Sequence, residues 1–469
     1  MKQQEGAGKR RLWKGAGRLT RAVIFMLLLF VCLARMQNVF MRKDSQRKLQ
    51  QFFRADTGYD VLFFGISHME CGIYPMDLWE DYGITSFNFG RAGSRLPFSY
   101  WTLRNALDYT SPSLVVIDVR RMDITYKRTT KTVRSNYDYF PLTKNKYMAV
   151  KDLLEDWTEQ VSYLFPLTMY HGRWEELTKK DFEVNAVRIT QGALQYAGNE
   201  LTVKVPEAWT RIEDSDAREP GPVGEEYLRK IIEFCQGRGI QVLLVELPYP
   251  ASEEDQQYAN GVQAIADEYG VQYLNFHHQE DIVGFDTDLQ DTSHLNDSGA
   301  RKVTKAVGEF IKAHYEVPDR REDPAFESWV DNNKAYKGYK FARIRGQDTA
   351  DTYLMLLSDP DVDTYIHIRA GSPALKDARM TALIRNISTC GELRELEKAV
   401  QTGSEYRALI CNGAGTVYEC AGDGSLSEPG TDLPYKIPES SGDVAEAELG
   451  IEVCVFRGST GKQQDDRVF

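Results

Sequence analysis

No P-loop, no dinucleotide fingerprint and no His, Cys or Asp cluster at metal-ligand spacing occurs in the 469 residues. Nucleotide and metal chemistry therefore has no foothold in the sequence, and neither a cofactor nor a metal is expected. Positive charge is short as well: 57 Lys and Arg face 69 Asp and Glu, a formal net charge of −12. That balance speaks against nucleic acid as a partner. Cysteine is sparse and irregular, at positions 32, 71, 235, 390, 411, 420 and 454. Such spacings make no disulfide framework, although Cys411 and Cys420 are placed to clip a hairpin in an oxidising compartment. Cys71 and Cys235 read as free core residues.

Long apolar runs are nearly absent too, and the one that stands out is short. Ala22 to Ala34 is uncharged and mostly apolar, and Lys2, Lys9, Arg10, Arg11, Lys14, Arg18 and Arg21 precede it against a single acid, Glu5. Thirteen helical residues reach only about 20 Å, short of a hydrocarbon core of about 30 Å. No small residues are well placed at −3 and −1 of a signal-peptidase site after the run, and Phe30-Val31 before Cys32 does not fit a lipobox. A signal anchor extended to Phe40 fits better, with Arg35 snorkelling to the headgroups. The expectation is a cytoplasmic basic tail (1–21), a single transmembrane helix (22–40), a juxtamembrane spacer (41–57) and an extracytoplasmic remainder at the cell membrane.

What is present is an ordinary globular composition, 42% hydrophobic and 27% charged, long enough for about two to four domains. The apolar run Tyr59-Asp60-Val61-Leu62-Phe63-Phe64 ends in Gly65-Ile66-Ser67-His68, the pattern of a buried strand delivering a hydroxyl to its carboxyl end. Far downstream, Asp291-Thr292-Ser293-His294 offers an acid and a base three residues apart. Serine needs a base to take its proton and a third group to orient that base, and Ser67, His294 and Asp291 are the candidates. His68 follows Ser67 directly and points elsewhere, so it is read as structural or substrate-facing.

Strands and helices alternate between these two motifs. Ile84–Asn88, Leu114–Val119, Ile240–Leu247 and Val271–Phe276 read as further strands. Helical spacing covers Met76–Tyr82, Pro97–Tyr109, Glu225–Gly239 and Val262–Tyr269. The alternation predicts a parallel, three-layer α/β sheet. Residues 124–220 interrupt it with a Tyr-, Trp- and Lys-rich insertion, of the size of a lid or specificity element. His171 and Arg173 there suit sugar or acyl-chain recognition beside aromatics, or else cap and pair within helices. Glu246, at a strand end, reads as a solvated carboxylate.

The two end motifs resemble blocks I and V of the SGNH hydrolase superfamily. Asn88-Phe89-Gly90-Arg91-Ala92-Gly93-Ser94 is similar to its block II, whose last glycine donates to the oxyanion hole. The resemblance covers roughly residues 58–315 and implies a flavodoxin-like α/β/α domain (58–317), catalytic Ser67, Asp291 and His294, and oxyanion donors at Ser67 and Gly93. Block III departs from the pattern: Arg120-Arg121-Met122-Asp123 puts Met122 where the family has its oxyanion asparagine. Arg120 or Arg121 would have to substitute. Candidate substrate contacts are His68, Asn88, Arg120, Arg121, His171 and Arg173.

Anchor and core together resemble the membrane-bound bacterial branch of DltD-like proteins and the SGNH partners of membrane-bound O-acyltransferases. That likeness implies acyl transfer through Ser67 to a surface polysaccharide or teichoic acid, with a membrane-bound O-acyltransferase as partner. A polysaccharide O-acyl esterase and a non-catalytic glycan-binding scaffold are the alternatives. Residues 325–469 read as a second, smaller α/β accessory domain, ending in a Gly- and Ser-rich tail expected to be disordered.

Overall fold

The structure, a computed structural model, describes residues 2–41, 48–49, 51–53, 55, 57–125, 134, 137–182, 189–195, 209–279, 282–426, 432–437 and 442–469. Two compact units emerge: Met1–Gln50 with Arg128–Ala186, and Gln51–Lys127 with Val187–Phe469.

In the larger unit, β1 (Val61–Phe64), β2 (Ser86–Asn88), β3 (Leu114–Asp118), β4 (Gln241–Glu246) and β5 (Gln272–Asn275) form one sheet in the order β2-β1-β3-β4-β5. Every pairing in it is parallel. β1 and β3 are buried at every position, as continuous apolar runs covered on both faces must be. Helices Pro75–Tyr82 and Asp297–His314 pack together, and helix Leu96–Ala106 packs with Pro222–Gln236. The expected α/β/α layering is present. Helix Pro75–Tyr82 opens on proline and ends at Gly83, whose φ of 68° suits a residue without a side chain. Helix Glu253–Tyr269 starts nine residues before the apolar spacing does, at the Ser252 cap.

Helix Glu327–Arg345 leads to a second sheet, β10-β9-β6-β7-β8, antiparallel throughout. Its strands are β6 (Val362–Ile368), β7 (Tyr406–Cys411), β8 (Thr416–Ala421), β9 (Ile451–Arg457) and β10 (Lys462–Val468). Helices Ala350–Leu356, Ala378–Ile387 and Arg394–Thr402 cover one face of it. For the described residues 442–469 the expected disorder of the tail is overturned, because β9 pairs with the central strand β6 and is buried from Ile451 to Phe456, while 427–431 and 438–441 lie outside the described residues. The expected Cys411–Cys420 clip is absent as well. Register sets Cys411 opposite Thr416 and Cys420 opposite Arg407, at opposite ends of the hairpin.

A buried charge network joins the second sheet to the first. Arg301 reaches Asp77 (2.8 Å), Asp297 (3.2 Å) and Asp359 (3.1 Å), while Arg343 reaches Asp297 (2.7 Å) and Lys340 reaches Asp359 (3.0 Å). Tyr336 and Tyr74 donate to Asp77 and Asp297. Burial lifts Asp77 to about 6, whereas at Asp297 the Arg343 and Arg301 charges overcome burial and hold it at about 2.

The smaller unit holds helix Lys2–Phe40, whose Arg18–Phe40 portion is long and apolar enough to cross a membrane. Helices Lys144–Leu153, Trp157–Leu164, Leu167–Tyr170 and Lys179–Phe182 belong to the same unit.

Arg301→Met would leave three buried carboxylates short of a cation, so it should cost about 3–5 kcal/mol. Urea unfolding of the two proteins measures this, and an unchanged midpoint would show that the network does not hold the sheets together.

Candidate active site

Ser67 stands just past the carboxyl end of β1, at the first position of the short helix Ser67–Gly72. Gly65 allows the turn: a Cβ there would collide with the Cβ of Asp118 at the end of β3. The base and acid lie on a loop closed like a small hairpin, with Leu289 bridged to Leu295 and Asn296 N–H bonded to Asp288 O at 3.0 Å. Asn296 fastens it three times more. Its side-chain amide donates to Thr287 O (2.7 Å) and Leu289 O (3.3 Å), and its oxygen caps helix Asp297–His314 at Gly299 N–H (3.1 Å).

The three side chains meet on that frame. His294 Nε2 lies 2.7 Å from Ser67 Oγ, and His294 Nδ1 lies 2.7 Å from Asp291 Oδ2. Asp291 Oδ1 accepts the N–H groups of Ser293 (2.9 Å) and His294 (2.8 Å). These bonds outweigh burial and keep the Asp291 carboxyl below its ordinary range. An ionised Asp291 draws the proton to Nδ1, which leaves the Nε2 lone pair to accept from the serine. The two backbone donors that the sequence proposed for an oxyanion are free of other bonds among the described residues. Neither the Ser67 N–H nor the Gly93 N–H has an acceptor, and Gly93 is exposed at a φ of 71°. Arg91 N–H holds the Gly93 loop to Gly65 O at 3.1 Å.

Buried titratable groups underlie the site. His68 is 7% exposed, its ring centroid 4.7 Å from that of His294 and 5.5 Å from that of Tyr249. Burial first, then the Arg120 and His294 charges, push its pKa well below the ordinary imidazole value. The Arg120 guanidinium lies 3.3 Å from the Tyr249 ring centroid, in cation–π contact, and its backbone N–H donates to Asp118 Oδ1 at 3.1 Å. Asp118 is lifted to about 7 by burial and then by the Glu246 charge; Glu246 is lifted to about 8 by burial against the pull of Arg120. His277, 3.7 Å from Glu246, is held down at about 3 by burial.

Several residues expected from sequence do other work. Glu246, read as solvated, is 2% exposed because β4 ends inside the molecule. Asn88 is fully buried, and its amide donates to Met69 O and Ile73 O and accepts from Gly90 N–H, so no polar group of it is left for substrate. Arg121 is exposed and paired with Asp123 at 3.0 Å, at a φ of 70° that is rare outside glycine. Met122 is 1% exposed. His171 and Arg173 belong to the smaller unit, where His171 bonds Thr168 O and Arg173 bonds Phe40 O and Asp181.

Other residues matter that the sequence did not single out. Asp288, fully buried, accepts from Gly284 N–H, Lys302, Ser298 and Asn386, and so clamps the base of the loop that carries Asp291 and His294. Asn386 comes from the second sheet's helix Ala378–Ile387. An N-terminal Asx pattern marks Asn296 in the sequence, but no local signal marks Asp288 or Asn386, whose partners are distant in the chain.

A carboxyl whose folded pKa is raised keeps its proton in the native state where the unfolded chain has lost it. The contribution of Glu246 to stability should therefore fall as pH rises from the ordinary carboxyl range to about 8 and level off beyond, against the rise that buried His277, held at about 3, contributes up to the ordinary imidazole value. In Glu246→Gln that slope should shrink, since one raised carboxyl is gone and Asp118 loses a repelling neighbour. Melting temperatures across this range check it, and equal slopes for both proteins would contradict the assignment.

No protein-family model matches the chain, and no curated protein matches it. Solved structures show likenesses at low identity. A Bacteroides fragilis protein provisionally called an acylhydrolase is 11% identical, with a TM-score of 0.28 over 54% of this chain and 86% of that one. A GDSL-like lipase of Bacteroides thetaiotaomicron is 12% identical, TM-score 0.28, over 54% and 87%. A Streptococcus pneumoniae protein provisionally called a platelet activating factor is 13% identical, TM-score 0.30, over 62% and 99%. Scores this low carry no weight on fold or activity, which rest on the geometry above.

Proposed function

We propose that the chain is a membrane-anchored, extracytoplasmic serine enzyme of the SGNH type that acts on acyl esters. The observation that carries this reading is the Ser67–His294–Asp291 relay, with both links at 2.7 Å, at the carboxyl edge of a parallel sheet. In the first step Ser67 Oγ attacks the ester carbonyl while His294 Nε2 takes its proton. The negative charge that develops on the carbonyl oxygen suits the Ser67 and Gly93 N–H groups. His294 then protonates the departing alcohol, leaving an acyl group on Ser67. A second hydroxyl, deprotonated by His294, attacks the acyl-serine and frees the enzyme.

We further propose that the second hydroxyl belongs to a surface polysaccharide or teichoic acid, and that a membrane-bound O-acyltransferase supplies the acyl group, as in the DltD-like branch. Two features favour transfer over hydrolysis: the apolar N-terminal helix, and Met122 in place of an oxyanion asparagine. One missing donor is worth about 10²–10³ in rate. A slow hydrolase lets an acyl-enzyme wait for a sugar.

A fluorophosphonate should label the full-length protein, and Ser67→Ala should abolish the label. Turnover of an aryl acyl ester in vesicles should rise with an added oligosaccharide acceptor and fall by about 10⁴ or more in Ser67→Ala or His294→Ala. Brisk hydrolysis indifferent to acceptor would favour the esterase. Absence of labelling in a folded protein would favour a scaffold.

Seven cations before the apolar run orient the helix with its N-terminus in the cytoplasm. A periplasm- or surface-specific reporter fused after Phe469 should be active, and activity of a cytoplasm-specific reporter there would reverse the topology.

A further inference from the structure

We infer that the helical insertion of the smaller unit rests on the lipid surface, with Trp157, Val161, Phe165, Met169 and Trp174 in the interfacial layer. The inference builds on the membrane-anchored reading and adds a second, peripheral contact to it.

Position comes from the anchor helix. Its last turn is docked to the insertion: Met41 is buried, Gln37, Val39 and Phe40 are half-buried, and Arg173 Nη1 donates to Phe40 O at 2.5 Å. Arg173 is itself braced by Glu176 and Asp181, both at 3.3 Å. The portion of the helix long and apolar enough to cross a membrane, Arg18–Phe40, ends at this docked turn. If the helix spans the bilayer, the docked insertion sits where hydrocarbon gives way to water.

The insertion turns apolar side chains outward. Trp157 and Val161 lie one turn apart on helix Trp157–Leu164, Phe165 follows at its end, Met169 is on helix Leu167–Tyr170 and Trp174 on the turn after it, and they are 71, 41, 53, 55 and 65% exposed. The opposite side of helix Trp157–Leu164 is the packed one: Tyr163 is 1% exposed under the Arg134 guanidinium, and Ser162 accepts from Arg134 at 2.6 Å. A helix on a water-facing surface shows the reverse pattern, apolar side in. Contiguous apolar patches on soluble surfaces mark contacts, and Trp above all favours the membrane–water boundary. A protein partner would explain the patch alone; lipid explains both the patch and its attachment to the end of the anchor.

The test uses the full-length protein reconstituted in phosphatidylcholine vesicles whose acyl chains carry bromine near the headgroup. Bromine should quench part of the tryptophan emission, and Trp157→Phe/Trp174→Phe should lose most of the quenchable part while still floating with the vesicles and keeping its circular dichroism. Equal quenching of both proteins, with both floating, would overturn the inference and leave the anchor standing. Failure of the wild type to float would instead remove the anchored reading, and this inference with it. Quenching that differs between the two only once a second membrane protein is added would assign the patch to that protein.

Discussion

Everything at the candidate site depends on one hydrogen bond, from Ser67 Oγ to His294 Nε2, between residues 227 positions apart. Misplacement by about an ångström in such a pair costs orders of magnitude in rate. Each end is accordingly held by more than its own strand. On the serine side, the lack of a Cβ at Gly65 lets β1 finish against Asp118, whose carboxyl bonds Arg120 N–H and is acted on by Ile66 N–H. On the histidine side, Asp288 and Asn296 close the loop beneath Asp291 and His294 with side-chain bonds to main chain.

The second sheet then has a role in the site without touching the reacting atoms. Asn386 donates to Asp288 Oδ1 (3.1 Å) and Ser298 Oγ (2.7 Å) and accepts from Lys302 (2.6 Å). Asp288 has no solvent to fall back on, so without Asn386 its Oδ1 would keep only the Ser298 hydroxyl as donor. The Arg301 network a few residues further along the same helix fixes the domain that presents Asn386. Loop, helix Asp297–His314 and second sheet are thus one mechanical piece.

Ser67, Asp291 and His294 were legible in the sequence because each sits where a periodic pattern stops: an apolar run ending in Gly-x-Ser, and an Asp-x-x-His before a capped helix. The parallel sheet was legible for the same reason, its strands being short apolar runs bounded by Gly, Pro and charge. What stayed hidden is set by distant contacts. Glu246 looks like any strand-end carboxylate until β5 and Tyr249 close over it. Asn88 looks like the start of a functional loop, yet its amide is consumed by the main chain of the neighbouring helix. The tail was misread because its glycines and serines outweigh the six apolar-rich residues from Ile451, which become a strand only by pairing with β6. The outward apolar residues of the insertion were invisible for another reason: periodicity gives the width of an apolar face, never the side on which it lies.

Electrostatics ties the buried groups to the proposed chemistry. When Ser67 yields its proton, His294 becomes a cation, and the ionised Asp291 at 2.7 Å is what stabilises it. A second imidazolium 4.7 Å away would oppose that step. His68 is at that distance, and its burial together with the Arg120 charge keeps it neutral. Arg120, half-buried over the Tyr249 ring, pulls both Asp118 and Glu246 down against their burial. Burial lifts Asp118 to about 7 and Glu246 to about 8, so both carboxyls hold a proton more readily than they would in water. In the proposed reaction the new positive charge falls on His294, where the ionised Asp291 is placed to receive it.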